Sequence, residues 1–427
     1  MTESAAAPAG GALEPTAGSA PGPEPAVGGG FPSHVYVHVP LCVSKCGYCD
    51  FCSVVSSERL ADSVTAALTV QASSLAPAGS DARVSTLYFG GGTPSVLGAR
   101  LPRLVTAMRT VFGAVGEDVE ITVEANPDSM MPALAVALVA VGVTRVSLGV
   151  QSFDDAVLRV LGRPHNAGGA ERAAAAVMAA GSLDLSIDLM CGVPGQDMRS
   201  WEESLAAAVR TGASHVSVYP LTVEPGTPMD AEVAAGVLPA PDPDVAAEMM
   251  LHASETLAAE GFVRYEVANF ARPGHESRHN SAYWTGRPYL AVGPAAHGMV
   301  AADDAGIVGV TAPAPDPASA PAPAAEGAAR LRYSYASDVD AWLAAPLAPP
   351  AQVEWLSCDE AAREDAMLGL RLSVGIDPVL AARAGVVGVL DSLVADGLLE
   401  VVDTRWRMTQ RGWLLGNQVF GRVWAGE

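Results

Sequence analysis

Residues 35–52, VYVHVPLCVSKCGYCDFC, decide how the rest of the chain is read. A short β-branched and aromatic run leads straight into Cys42, Cys46 and Cys49, a C-x3-C-x2-C array. That spacing suits neither a helix face nor a strand face; it suits a loop wrapped around something that takes thiolates. An iron–sulfur cluster held by three cysteines keeps one iron open to a small molecule, which separates a reactive cluster from one that only stores electrons. Two alternatives stay open on spacing alone. Cys52 follows closely, so four thiolates could hold structural zinc, although zinc sites usually pair two C-x2–4-C knuckles across a longer spacer. The thiols could also be inert. A disulfide framework fits poorly, because six cysteines in a chain of 427 residues without an export signal are expected to stay reduced.

Outward from this loop a rhythm appears. Strand-like runs recur at 35–39, 84–89, 119–125, 145–150, 185–190 and 215–220, separated by Ala- and Leu-rich stretches that favour helix, such as Leu60 to Leu75 and Gly169 to Ala180. Six strands alternating with helices predict an α/β fold, a partial (β/α)6 TIM-like barrel whose parallel sheet is covered on its outer face. Chemistry in such barrels sits at the carboxyl ends of the strands. The cysteine loop follows the first strand there, and Gly90-Gly91-Gly92-Thr93 follows the second, where glycines let backbone approach a ligand closely. Glu124, Gln151 and Asp188 mark the third, fourth and fifth strands. One such residue is compatible with a satisfied core hydrogen bond; three around one mouth describe a site.

Composition narrows the function classes. Half of the residues are hydrophobic, 17% are charged, and the net charge is −22. Lys45, inside the cysteine loop, is the only lysine. That balance argues against an extended nucleic-acid surface, which needs clustered Lys and Arg. Residues 1–31 are mostly Ala, Gly and Pro with three acidic residues and no basic one, too little apolar surface to offset ordering, so they are expected to be disordered. They lack the charged and apolar regions of a secretory signal. The longest apolar run, Pro132 to Val143, is too short to span a bilayer, and the expectation is a soluble, cytoplasmic protein.

The chain resembles the radical S-adenosylmethionine superfamily, in the branch that holds oxygen-independent coproporphyrinogen III dehydrogenases and the HemW haem chaperones. The resemblance runs from Val35 to the end, through YVHVPLCVSKCGYCDF, YFGGGTPS, VEANPD, LGVQSFDDAVLRVLGRPHN, IDLMCGVPGQ, HNSAYW, GRPYLAVGPAAH and TQRGWLLGNQVF. It implies a 4Fe–4S cluster on Cys42, Cys46 and Cys49, whose open iron binds S-adenosylmethionine. It further implies that Tyr36, Tyr48, Gly91, Gly92, Thr93 and Glu124 form the cofactor pocket. Gln151, Arg163 and Asp188 match positions that line a second S-adenosylmethionine site in the dehydrogenases. Reduction by an electron donor would then cleave the sulfonium to methionine and a carbon radical.

Within the branch the residues lean toward the chaperone. The dehydrogenase pattern has a fourth cysteine two residues after the third, where this chain has Phe51; Cys52 is one place late. The low-complexity N-terminus offers no substrate-site segment, and HNSAYW matches the H-N-x-x-Y-W signature of the HemW branch. Two functions stay open: haem binding with transfer to acceptor proteins, or oxidative decarboxylation of coproporphyrinogen III. A radical enzyme acting on RNA is disfavoured by the charge. His279 is then a candidate haem ligand, as against a histidine merely hydrogen-bonded to neighbours, with Asn280, Tyr283 and Trp284 orienting it or stacking on a macrocycle. His297 is a second candidate. Cys191 reads as a small buried hydrophobe and Cys358 as unrelated to the cluster.

The expected division is a core barrel over 32–272, an HNxxYW region over 273–350 with a disordered Ala/Pro insert at about 301–329, and a winged-helix-like domain over 351–427. That last domain carries seven arginines against eleven acidic residues, which speaks against DNA binding and for covering the barrel or holding a substrate.

Overall fold

The computed structural model describes residues 31–76, 84–114, 116, 118–311 and 328–427. The disorder expected of residues 1–30 and 312–327 lies outside them. Phe31, the last residue of the stretch expected to be disordered, instead packs against Phe112 with ring centroids 6.4 Å apart.

Six parallel strands stand where the alternation places them: β1 (His34–Val39), β2 (Thr86–Gly91), β3 (Glu120–Ala125), β4 (Arg145–Gln151), β5 (Asp184–Cys191) and β6 (His215–Pro220). Helices α1 (Glu58–Leu75), α2 (Arg100–Val111), α3 (Pro132–Ala140), α4 (Ala167–Ala179), α5 (Met198–Arg210) and α6 (Pro243–Ala259) follow the strands in turn and cover the sheet. Side chains alternate across each strand. Val35, Val37, Leu87, Phe89, Ile121, Val123, Leu148, Ile187 and Val216 face the helices and are at most 1% exposed. Ends of helices are capped where the sequence supplies an acceptor: Ser57 accepts from Leu60 N, Asn166 from Gly169 N, and Asp197 from Ser200 N.

A seventh parallel strand, β7 (Tyr289–Val292), lies on the open side of β1, with Tyr289 opposite His34. It was not expected. Four residues flanked by Gly286-Arg-Pro and Gly293-Pro read as loop, and only sheet neighbours make them a strand. Beyond it the sheet continues antiparallel through β8 (His297–Ala301), β9 (Ala328–Ser334) and β10 (Gln352–Ser357). The insert expected at about 301–329 is therefore narrower. Residues 302–308 form a 3-10 turn that buries Ala305 and Val308, and 328–329 already belong to β9.

The C-terminal part has its own core around Ala366, Leu390, Leu393 and Val419. Helices Cys358–Gly369, Pro378–Arg383 and Val387–Ala395 lead to the hairpin Leu399–Val402 with Arg405–Met408. Asp403 and Thr404 turn that hairpin with φ of 49° and 66°. Among the described residues no helix is long and apolar enough to cross a membrane.

Candidate functional site

The face of each strand turned away from the helices is polar. It carries His34, Tyr36 and His38 on β1, Thr86 and Tyr88 on β2, and Glu120, Thr122 and Glu124 on β3. Arg145, Ser147 and Gln151 follow on β4, Asp184, Ser186 and Asp188 on β5, and His215, Ser217 and Tyr219 on β6. Many of these line a cavity inside the barrel, with Glu124 and Asp188 both on its wall. Such a lumen is stable only if its groups are paired. Asp188 accepts from Ser147 at 3.0 Å and from Ser217 at 2.8 Å. Glu124 accepts from Tyr88 at 2.7 Å and from Gly91 N at 3.1 Å. Burial pushes the Glu124 carboxyl up to about 7, against the pull of the Tyr88 hydrogen bond and with a further push from Asp188. Burial also raises Asp188, although its serines pull it down.

At the carboxyl end of the strands the cysteine loop spans from β1 to α1. Gly92 N and Thr93 N donate to Val39 O and Leu41 O, which ties the loop's first turn to the glycine run. Gly91 has a φ of +101°, and a Cβ there would lie 2.4 Å from the His38 ring, so no other residue fits. Thr93 Oγ1 stands 3.5 Å from Cys42 Sγ and accepts from Asn126 Nδ2 at 3.0 Å. Arg163 donates to Asn126 Oδ1 at 2.7 Å, to Gly149 O at 2.7 Å and to Cys46 Sγ at 3.3 Å. A continuous polar chain, Cys42–Thr93–Asn126–Arg163–Cys46, thus runs beneath two of the three sulfurs. Asn126 is the member that sequence reasoning did not single out, although it stands inside VEANPD.

The remaining candidates surround this chain. His38 Nε2 donates to Cys52 O at 2.8 Å, and in the neutral ring His38 Nδ1 accepts from the Tyr36 hydroxyl at 3.0 Å. Tyr48 packs against a cluster that holds Val157, Leu161, Met190 and Met229, and Gly47 O beside it accepts from Met229 N at 2.9 Å. Gln151 ends β4 with a φ of 67°, a left-handed conformation that L side chains rarely adopt. Cys52 Sγ donates to Ser337 O at 3.0 Å, and the neighbouring Phe51 is 61% exposed.

Whether these residues suit a cluster and a charged ligand can be judged from what they leave over. Donors directed at Cys42 and Cys46 suit thiolates rather than thiols. Arg163 Nε and both carboxylate oxygens of Asp128 are buried without a partner, which is costly unless a polar ligand meets them. Among the described residues no three His, Cys, Asp or Glu side chains stand at single-ion spacing. The residues fit the cluster with its charged ligand.

His279 lies elsewhere. Helix α7 (Arg278–Trp284) closes the opposite, amino-terminal end of the barrel. Ser277 caps it, and Glu120, at the start of β3, accepts from Arg278 N at 2.8 Å and His279 N at 2.9 Å. His279 is 0% exposed; its Nδ1 bonds Thr86 Oγ1 at 2.7 Å, its Nε2 bonds Tyr283 OH at 2.7 Å, and its ring stacks on Tyr88. Burial holds it neutral, well below the ordinary histidine value. Both ring nitrogens are engaged, which favours the reading of His279 as a histidine hydrogen-bonded to its neighbours over that of a haem ligand. Trp284 is half-buried beneath the Arg371 guanidinium, 4.9 Å from its ring centroid. HNSAYW is therefore the barrel's plug and its seam with the C-terminal domain.

Residues 36–208 match the Radical SAM superfamily and residues 356–415 the HemN C-terminal domain. The chain is 37% identical to the heme chaperone HemW of Mycobacterium tuberculosis, over 91% of this chain and 94% of that protein. It is 30% identical to the HemW of Bacillus subtilis, over 92% and 99%. Among solved structures, the coproporphyrinogen III oxidase HemN of Escherichia coli superposes with a TM-score of 0.73 over 92% of this chain and 90% of that one, at 21% identity, a likeness of fold.

Proposed function

The chain belongs to the HemW family of radical S-adenosylmethionine proteins, and we propose from that premise that it binds haem and hands it to acceptor proteins. The single observation that carries this is the near full-length identity to HemW, at a chain whose cysteine loop, glycine run and arginine form one connected end of the barrel. In this proposal Cys42, Cys46 and Cys49 hold a 4Fe–4S cluster. Thr93 and Arg163 stabilise the charge on the first two sulfurs. Tyr36, Tyr48, Gly91, Gly92 and Glu124 flank the space for S-adenosylmethionine, with Asp188 and Gln151 on the neighbouring strands toward the carboxyl end. When bound, cluster and S-adenosylmethionine supply one-electron chemistry, and the chain's part is to orient and to exclude water.

The dehydrogenase alternative is favoured by one feature, the retention of Gln151 and Arg163 together at Gly149, with Asp188 on the cavity wall. Against it, Phe51 projects into solvent where a fourth cysteine would stand, and Cys52 is turned to the Ser337 carbonyl. The deciding experiment is anaerobic. Reconstituted protein is titrated with haem, mixed with an apo-haemoprotein acceptor, and separately incubated with S-adenosylmethionine, reductant and coproporphyrinogen III. Stoichiometric haem binding and transfer without protoporphyrinogen supports the proposal. Protoporphyrinogen formation overturns it in favour of the dehydrogenase.

A further inference from the structure

With His279 buried in the plug, the place of haem on this fold is unassigned, and the remaining histidines narrow it. The chain has eight. Seven have a ring nitrogen hydrogen-bonded to side chain or backbone inside the fold. His297 is the exception: it is the one histidine in the exposed class, and its ring has no hydrogen bond among the described residues.

Its position is at the cysteine end. Strand β7 runs parallel to β1, so the turn at Gly293 that leads to His297 emerges beside the carboxyl end of β1. The backbone there is firmly held: Ala295 N donates to Ala336 O, Tyr335 N donates to Ala296 O, and His297 pairs with Ser334 across β8 and β9. Three residues beyond Ser334, the Ser337 carbonyl accepts Cys52 Sγ. The Cys52 carbonyl in turn meets His38, which is held below its ordinary value first by burial and also by the nearness of His297. Next to Cys52 the Phe51 ring is 61% exposed, and Lys45 Nζ donates to Phe51 O at 3.3 Å. An uncommitted imidazole, an exposed aromatic ring and the chain's only lysine therefore share one rim.

Those three groups are what an iron porphyrin needs: a nitrogen ligand, an apolar face and a cation for its carboxylates. We propose that haem docks on this rim with His297 as axial ligand, Phe51 against the macrocycle and Lys45 toward a propionate. The inference rests on the haem-binding function above and places the cargo beside the cluster loop rather than in the plug.

Titration of the full-length, cluster-loaded protein with ferric haem, followed at the Soret band, tests it. His297→Ala is expected to weaken haem at least tenfold and to remove the bands of a histidine-ligated iron, while iron–sulfur absorbance stays unchanged. His297→Met should keep binding but shift the Soret band, which separates ligation from a folding defect. Metal-free protoporphyrin IX should bind wild type and His297→Ala alike. An unchanged affinity and spectrum in His297→Ala would overturn the ligand assignment and leave haem binding standing. Absence of haem binding to wild type would overturn the function itself.

Discussion

The two ends of the barrel use the same residue types for opposite ends. At the base, histidine, tyrosine and carboxylate are hydrogen-bonded to one another through Glu120, Thr86, His279 and Tyr283, and the atoms left over, Trp284 Nε1 and Arg145 Nη2, are single donors rather than a whole charged group. At the mouth, Arg163 Nε and the Asp128 carboxylate are buried yet unpartnered, and Gln151 is held in a left-handed conformation. A finished network is what a plug requires. An unfinished one marks a place that a ligand completes.

The sharpest break between the ends is loss of the cofactor. Cys42→Ser, Cys46→Ser or Cys49→Ser should each abolish the broad iron–sulfur absorbance of reconstituted protein, and Cys358→Ser should leave it intact. A full cluster in Cys46→Ser would sink the ligand assignment. At the base the effect should fall on stability instead. His279→Ala strands the Tyr283 hydroxyl, leaves Thr86 only its bond to His34, and opens a cavity under Tyr88, a loss of about 3 kcal/mol or more. Denaturant unfolding would measure it. A variant as stable as wild type, with weakened haem, would return His279 to the functional end.

Acidity separates two kinds of buried group, because the raised carboxyl of Glu124 and the lowered histidines, His38 and His165 at the mouth and His34 and His279 at the base, respond to pH with opposite sign. Burial raises Glu124 to about 7 from an ordinary 4.5, so between these values the folded protein holds a proton that the unfolded chain has lost. Glu124 thus favours the fold at low pH, and that contribution is lost as pH rises from 4.5 through 7, up to roughly 3 kcal/mol. His34, lowered to about 4 chiefly by burial, and the buried His279 do the reverse: the unfolded chain takes protons first below pH 6.5, so their contribution is lost on acidification. Thermal unfolding of Glu124→Gln apoprotein from pH 5 to 7 should therefore show stability rising with pH more steeply than in wild type. Parallel curves would mean that Glu124 titrates normally.

Strand order and the cysteine loop were legible because both are local: β-branched runs between Ala-rich stretches, and thiols at fixed spacing. The polar lumen was equally written in the chain, as His-x-Tyr-x-His on β1, Glu-x-Thr-x-Glu on β3 and Asp-x-Ser-x-Asp on β5. It passed for isolated polar residues because polar groups at period two ordinarily mark a solvated sheet face. Strand β7 and the burial of His279 were not legible. A four-residue strand between turn residues exists only through its neighbours, and a histidine motif looks the same whether its ring ends in solvent or against Tyr88. Asn126 lay in plain view, yet nothing in its sequence neighbours shows that it bridges Thr93 and Arg163.

The smallest expected effect concerns Cys52, the residue closest to blurring the difference between a three-cysteine and a four-cysteine loop. Its thiol is a weak donor, and its one hydrogen bond, to Ser337 O, links the loop to the strand after the insert rather than to the other sulfurs. Serine keeps a donor of similar reach, so Cys52→Ser should change stability by less than about 1 kcal/mol. Iron and sulfide content per chain should equal wild type. Lower iron would make Cys52 a ligand after all and would bring the loop back toward the dehydrogenase pattern. Unchanged iron, with haem binding intact, leaves three thiolates and an open rim. That is the arrangement in which a cargo seated on His297 would lie beside the cluster without contributing a ligand to it.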